Sequence, residues 1–151
     1  MRVGALPQFI APELCMSVEQ PPAGKGWLHE IKFDGYRVCL RVVERRATIK
    51  TRKGLDWTRR FPEIARAATG LSDGIYDGEI VALDEQGGSD FSALQAALSD
   101  ADTKNLVCFL FDCLFAEKLD LRKQPLSERK AALAAVVEKA KADAIRYVEH
   151  F

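Results

Sequence analysis

With 151 residues, 48% of them hydrophobic, the chain is long enough for one domain with a real core. Its formal net charge of +0 excludes a uniformly basic nucleic-acid binder. No run approaches the ~18 apolar residues of a membrane span, so a soluble, intracellular protein is expected.

Residues 1–26 are punctuated by Pro7, Pro12, Pro21, Pro22, Gly24 and Gly26. They predict an extended lead-in that wraps the body, with Phe9, Ile10 and Leu14 as anchors. Trp27, Ile31 and Phe33 then alternate with polar residues, the pattern of a half-buried strand that puts Glu30 and Lys32 on its other face. Asp34-Gly35 reads as a hairpin turn behind that strand. A lysine on a rigid strand before a tight turn is a good place for a nucleophile, provided something lowers its pKa from about 10.4. The alternative is a surface ion pair with Glu30.

Tyr36 to Val43 predicts a second strand, with Tyr36, Val38, Leu40 and Val42 on one face and Arg37, Cys39 and Arg41 on the other. Glu44-Arg45-Arg46 makes a turn into a third strand from Ala47 to Thr51. Between Arg37 and Arg60, nine basic residues face two acidic ones, leaving a local charge of +7 in a neutral protein. Such a stripe suits phosphate neutralisation, or a solvated sheet face. Pro62 opens a short helix carrying Ile64, Ala67 and Ala68 and ending at Gly70.

Ile75 to Asp84 predicts a strand whose Ile75, Asp77, Glu79, Val81 and Leu83 share one face. Carboxylates among aliphatics need partners unless that half of the strand is exposed. Ser89 is expected to cap a helix from Asp90 to Leu98 with Phe91, Leu94 and Leu98 on its stripe. Leu106 to Phe115 is almost continuously apolar, a strand buried on both faces in which Asp112 must find a hydrogen-bond partner. Ser127 is expected to cap a last helix with its apolar stripe at Leu133, Val136, Val137 and Ala140, before a short strand from Ile145 to Val148. Four cysteines without a C-x-x-C pair, and two histidines, His29 and His150, show no metal-ligand spacing. Cys39, Cys108 and Cys113 fall in apolar strands and read as reduced core thiols.

Lys32-Phe33-Asp34-Gly35-Tyr36-Arg37 resembles the K-x-D-G-x-R motif of the covalent nucleotidyltransferases, which comprise ATP-dependent DNA ligases, RNA ligases and messenger-RNA capping enzymes. The run from Leu28 to Arg37 looks most like the adenylation domain of bacterial non-homologous end-joining DNA ligases. Three further motifs follow in the family's order: Thr51-Arg52-Lys53-Gly54, Asp77-Gly78-Glu79 and Phe111-Asp112. The resemblance implies an α+β fold, antiparallel β-sheets flanked by helices in a nucleotidyltransferase (ATP-grasp-like) adenylation core, with residues 27–151 forming part of that domain. The family's downstream glutamate and K-x-K motifs and its oligonucleotide-binding domain are not found, so a core incomplete at its C-terminal side, with weak or absent activity alone, is expected.

The roles implied by the resemblance are specific. Lys32 is the nucleophile that takes AMP from ATP. Glu30 and Phe111 hold adenine, Arg37, Arg52 and Glu79 hold ribose and phosphate, and Glu79 also serves Mg²⁺ or Mn²⁺. The partners implied are nicked or broken double-stranded DNA and end-joining proteins, with no membrane, in the bacterial cytoplasm at the nucleoid. An RNA ligase, a capping-type guanylyltransferase, or a non-catalytic nucleic-acid-binding fragment are the alternatives.

Overall fold

Alternation in the sequence becomes an antiparallel sheet after Gly35. In the computed structural model, which describes residues 1–151, β1 (Tyr36–Val43) pairs antiparallel with β2 (Arg46–Thr51) and with β3 (Gly74–Val81). β3 pairs with β4 (Val107–Ala116), whose far edge carries β5 (Leu119–Asp120) at one end and β6 (Ile145–Tyr147) at the other. The order is β2-β1-β3-β4-β5, and all pairs are antiparallel except β4 with β6. Three helices complete the α+β fold: α1 (Pro62–Ala68), α2 (Phe91–Ser99) and α3 (Leu126–Ala140).

The sheet separates two apolar layers. Val38, Leu40 and Val42 of β1, Tyr76 and Ile80 of β3, and Cys108, Leu110 and Cys113 of β4 pack with Ile64, Leu94 and Leu133 of the helices. This agrees with the face assigned to β1 and with the stripes of α1 and α3, whereas on α2 Leu94 and Leu98 pack here and Phe91 stays exposed. The opposite face is covered by irregular chain: Leu6, Phe9 and Ile10 pack on Cys39, Ile75 and Phe115, and Phe33 packs beside Val81, Phe109 and Phe111. Cys39, Cys108 and Cys113 are buried free thiols, as expected, and burial pushes Cys108 and Cys113 up to about 12. No helix is long and apolar enough to cross a membrane.

The β1-to-β2 turn needs only Glu44 and Arg45, both at positive φ (49° and 63°). That is the twist-matching geometry of a two-residue hairpin, adopted here without the usual Asn or Gly. The Glu44 N–H donates to Asp73 Oδ1 at 2.9 Å, which helps hold it.

Other expectations are corrected. Residues 27–35 form no strand; the segment is extended, and its only ladder is a short bridge in which His29 and Phe151 exchange backbone hydrogen bonds at 3.0 Å. With so little pairing, alternation there does not build a strand, and Trp27 and Ile31 stay exposed. Asp34-Gly35 makes no hairpin. A Cβ on Gly35 would collide with the Ile80 carbonyl oxygen, so glycine lets the chain pass against β3. Leu14 is 64% exposed, and Leu6 is the buried anchor instead. Asp90 caps α2 through Ala93 N–H at 2.9 Å, while Ser89 Oγ accepts from Asp34 N–H at 2.9 Å. Pro125, not Ser127, sits at the start of α3, where its carbonyl accepts from Glu128 and Arg129 N–H. β3 stops at Val81, short of the expected end at Asp84.

Candidate active site

The site lies on the sheet face opposite the helices. Arg37 of β1 and Asp77 of β3 form a bidentate pair, with Nε to Oδ1 at 2.6 Å and the second guanidinium nitrogen to Oδ2 at 2.7 Å. The same guanidinium lies 4.7 Å from the centroid of the Phe111 ring on β4. Glu79, cross-strand from Arg37, accepts the Gly35 N–H at 3.1 Å through Oε1. Three adjacent strands and the close approach of Gly35 therefore bring Arg37, Glu79 and Phe111 together.

Arg52 follows β2 in a turn closed by Thr51, where Gly54 and Leu55 N–H groups donate to the Thr51 carbonyl and hydroxyl. Arg52 and Lys53 line a cleft of about 380 Å³ with Gly35, Tyr36, Arg37, Trp57 and Glu79. A larger cavity of about 730 Å³, lined by Arg2, Arg41, Asp73 and Glu117 among others, contains none of the motif residues and lies beneath the lead-in. Of the motif residues, Arg37, Arg52 and Glu79 line the smaller cleft.

Burial raises the carboxyls of Asp77 and Glu79 above their ordinary range. For Asp77 the Arg37 guanidinium works in the opposite direction, and for Glu79 the Gly35 N–H and Arg37 do. Neither strand half is exposed, so partnered carboxylates, not solvated ones, explain the Asp77–Glu79 pattern.

Lys32 behaves differently from the expectation of an amine made neutral on a strand. Its side chain is 79% exposed, and Nζ donates to Asp34 Oδ1 at 2.6 Å. That hydrogen bond, with the charge of Asp34, raises the amine above its usual value, and Glu79 adds to the pull. Its partner is Asp34, not Glu30.

Glu30 is not among the residues lining that cleft. Its Oε1 receives the ammonium of Lys130, which is wholly buried at the start of α3. Lys130 also donates to the carbonyls of Phe111 at 3.2 Å and Val148 at 2.9 Å, with its Nζ 4.8 Å from the Tyr147 ring centroid. One residue earlier, Arg129 forms the bidentate pair that Asp112 requires, at 2.8 and 2.9 Å.

The family model described as ATP dependent DNA ligase domain matches residues 13–150. This chain belongs to that family. It is 44% identical over 144 residues to the multifunctional non-homologous end joining protein LigD of Pseudomonas aeruginosa, covering 94% of the chain and 17% of that protein. It is 30% identical to the SPbeta prophage-derived DNA ligase-like protein LigB of Bacillus subtilis, covering 83% of the chain and 46% of the relative. A mycobacterial DNA ligase D complexed with ATP and MES shares the fold, with a TM-score of 0.69 and 24% identity over 82% of this chain and 39% of that one. The chain thus spans less than half the length of these relatives.

Within this ligase-family chain, the basic stripe is divided by the fold. Arg41 donates to the carbonyls of Pro7 and Leu6, Lys50 to that of Gln8, and Arg37 to that of Glu13 as well as to Asp77. Those three cations hold the lead-in on the sheet. Arg45, Arg46, Arg52, Lys53, Arg59 and Arg60 remain exposed, with Arg60 stacked 4.3 Å from the Trp57 ring centroid. The sequence alone did not indicate that Asp34, Arg129 and Lys130 would partner Lys32, Asp112 and Glu30. A signal for Lys130 existed, since it precedes Leu133 by three and continues the apolar stripe of α3.

Proposed function

We propose that this chain performs the nucleotide-transfer step of an ATP-dependent DNA ligase, with Lys32 as the acceptor. The observation that carries the reading is the convergence of Arg37, Arg52 and Glu79 on one cleft beside the lysine segment, in a chain of this family. In the proposed step the Nζ lone pair of Lys32 attacks the α-phosphorus of ATP. A P–N bond forms, the bond to the bridging oxygen of the β-phosphate breaks, and pyrophosphate leaves. The proton lost from Nζ passes to solvent.

Lys32 must first lose its proton, and its exposure leaves it free to swing from Asp34 toward a bound triphosphate. Arg37 and Arg52 provide the positive charge that binds phosphate or ribose oxygens and favours the leaving group. Phe111 supplies a ring face for the base, because stacking is worth about 1–3 kcal/mol and needs no polar match. Glu30 is assigned to the base edge.

No three His, Cys, Asp or Glu side chains converge to hold a metal ion by themselves. That donor set still fits Mg²⁺ or Mn²⁺ arriving with the nucleotide, because such ions take one or two carboxylates and complete their shell with phosphates and water. Glu79 would hold it through the oxygen not engaged by Gly35. Bound there, the ion supplies charge screening for the phosphates.

Passing AMP on to a 5′-phosphate, and sealing by a 3′-hydroxyl, complete the proposed joining of nicked or broken double-stranded DNA. The exposed cations from Arg45 to Arg60 would meet the phosphates. End-joining proteins are the proposed partners, and the bacterial cytoplasm at the nucleoid the proposed location.

The test incubates the chain with ATP labelled at the α-phosphate and Mg²⁺, followed by denaturing separation. Label retained slowly and in low yield by the wild type, and lost in Lys32→Ala, is expected. Label absent from both, alongside salt-sensitive DNA binding, would favour a binding module.

A further inference from the structure

Lys32 reacts in the proposed function, yet the segment that carries it belongs to no strand. Downstream of Lys32 the segment is well held. The Phe33 ring stacks on Phe109 at 4.0 Å between centroids, Asp34 N–H donates to Ser89 Oγ, and Gly35 N–H donates to Glu79 at the edge of the cleft. Upstream the attachments are few. His29 and Phe151 exchange backbone hydrogen bonds, and the Glu30 carboxylate meets the Lys130 ammonium. Trp27 and Ile31, the large apolar side chains of this part, lie exposed.

Lys130 is the buried charge that the proposed reaction does not use. Its side chain has no exposure, and an ammonium has three donors to satisfy. All three are engaged: by Glu30 Oε1 on the lysine segment, by the Phe111 carbonyl on β4 and by the Val148 carbonyl just past β6. Val148 leads directly to Phe151, so the same ammonium also fixes the stretch that pairs with His29. Both upstream attachments therefore lead back to one side chain on α3. Two residues of extended chain span roughly 7 Å, so holding Glu30 confines the backbone of Lys32 to the same neighbourhood. An apolar pair of similar volume would stabilise a fold as well as a buried ion pair does. What it lacks is direction, which three hydrogen bonds to three separate parts of the chain supply.

We infer that Lys130 is a positioning residue for nucleotide transfer: it clamps the segment carrying Lys32 to α3 and β4, so that the amine stays within reach of a nucleotide in the cleft. The inference rests on the proposed reaction at Lys32. It requires nothing of Glu30 or Phe111 beyond their contacts with Lys130.

The test compares the 151-residue chain with Lys130→Met, measuring equilibrium binding of ATP with Mg²⁺ and the rate of Lys32 labelling at saturating ATP. The variant is expected to bind ATP within about threefold of the wild type and to label Lys32 about tenfold more slowly, or worse, per bound chain, the scale on which a small misplacement acts. Backbone hydrogen exchange of residues 27–34 should quicken while that of β1, β3 and β4 stays unchanged. A purely structural residue would loosen the whole sheet and leave the rate per bound chain as it was, and either of those results overturns the inference. Where Lys130→Met does not fold, Glu30→Gln with Lys130→Met removes both charges at nearly matched volume. That double variant should show the same quickened exchange at 27–34, and unchanged exchange there overturns the inference. A wild type never labelled at Lys32 overturns the proposed function and this inference with it, whereas a labelled wild type whose variant labels equally fast overturns this inference alone.

Discussion

Lys32 and Lys130 carry the same ammonium in opposite surroundings. Lys32 sits on irregular chain with one neighbouring carboxylate and most of its side chain in water. Lys130 is sealed between a helix and the sheet, with a carboxylate, two carbonyls and an aromatic ring around it. A group that must give up a proton and form a bond needs access and freedom to turn. A group that must hold others in place needs neither. In the proposed reaction, binding falls to the side chains fixed on β1, β3 and β4, whereas the bond-forming atom is carried by an exposed side chain.

The largest effect should come from breaking the buried pair. Glu30→Ala leaves the Lys130 ammonium without a counter-charge and should cost about 3–5 kcal/mol in urea unfolding. A loss below 1 kcal/mol, on the order expected of a surface pair, would erase the difference between the two lysines. Next, Arg37→Ala strands the half-buried Asp77 and should cost about 1.5–3 kcal/mol while weakening nucleotide binding.

A smaller effect concerns pH. Burial places the folded-state carboxyl of Glu79 above its ordinary 4.5, so the native state binds that proton more tightly than the unfolded state. Stability from this group is therefore greatest when it is protonated, and falls as pH rises from 4.5 through the raised value. Glu79→Gln should remove that downward slope in unfolding measured from acid to neutral pH, and a slope unchanged by the substitution would place Glu79 in solvent.

The smallest stability change is expected at the exposed lysine. Asp34→Asn should alter unfolding by under about 1 kcal/mol. Its effect on reactivity has a definite sign. Without Asp34 the Lys32 amine falls back toward 10.5, so a larger neutral fraction should acetylate faster at pH below that value. Slower acetylation would mean that another group controls the amine.

Much of the scaffold was legible because its signals are local. Alternation located β1 and β2, the apolar run located β4, and the need for a partner at Asp112 was met by Arg129. The segment at Trp27 carried the same alternation yet paired with almost nothing, since period alone does not supply a neighbouring strand. Gly35 looked like a turn residue, but its lack of a side chain serves the close approach to Ile80. The spacing of Lys130 from Leu133 signalled its burial, but nothing local signalled its partner, because Glu30 lies a hundred residues away in sequence. The same distance hid the fate of Glu30, whose expected neighbour was Lys32.

In the proposed function the exposed lysine reacts and the buried one supports. The most direct measurement is peptide mapping by mass after incubating the chain with ATP and Mg²⁺. An AMP-sized addition is expected on the peptide containing Lys32 and none on the peptide containing Lys130. An addition on any other residue, or an unmodified Lys32 in a chain shown to bind ATP, would contradict it.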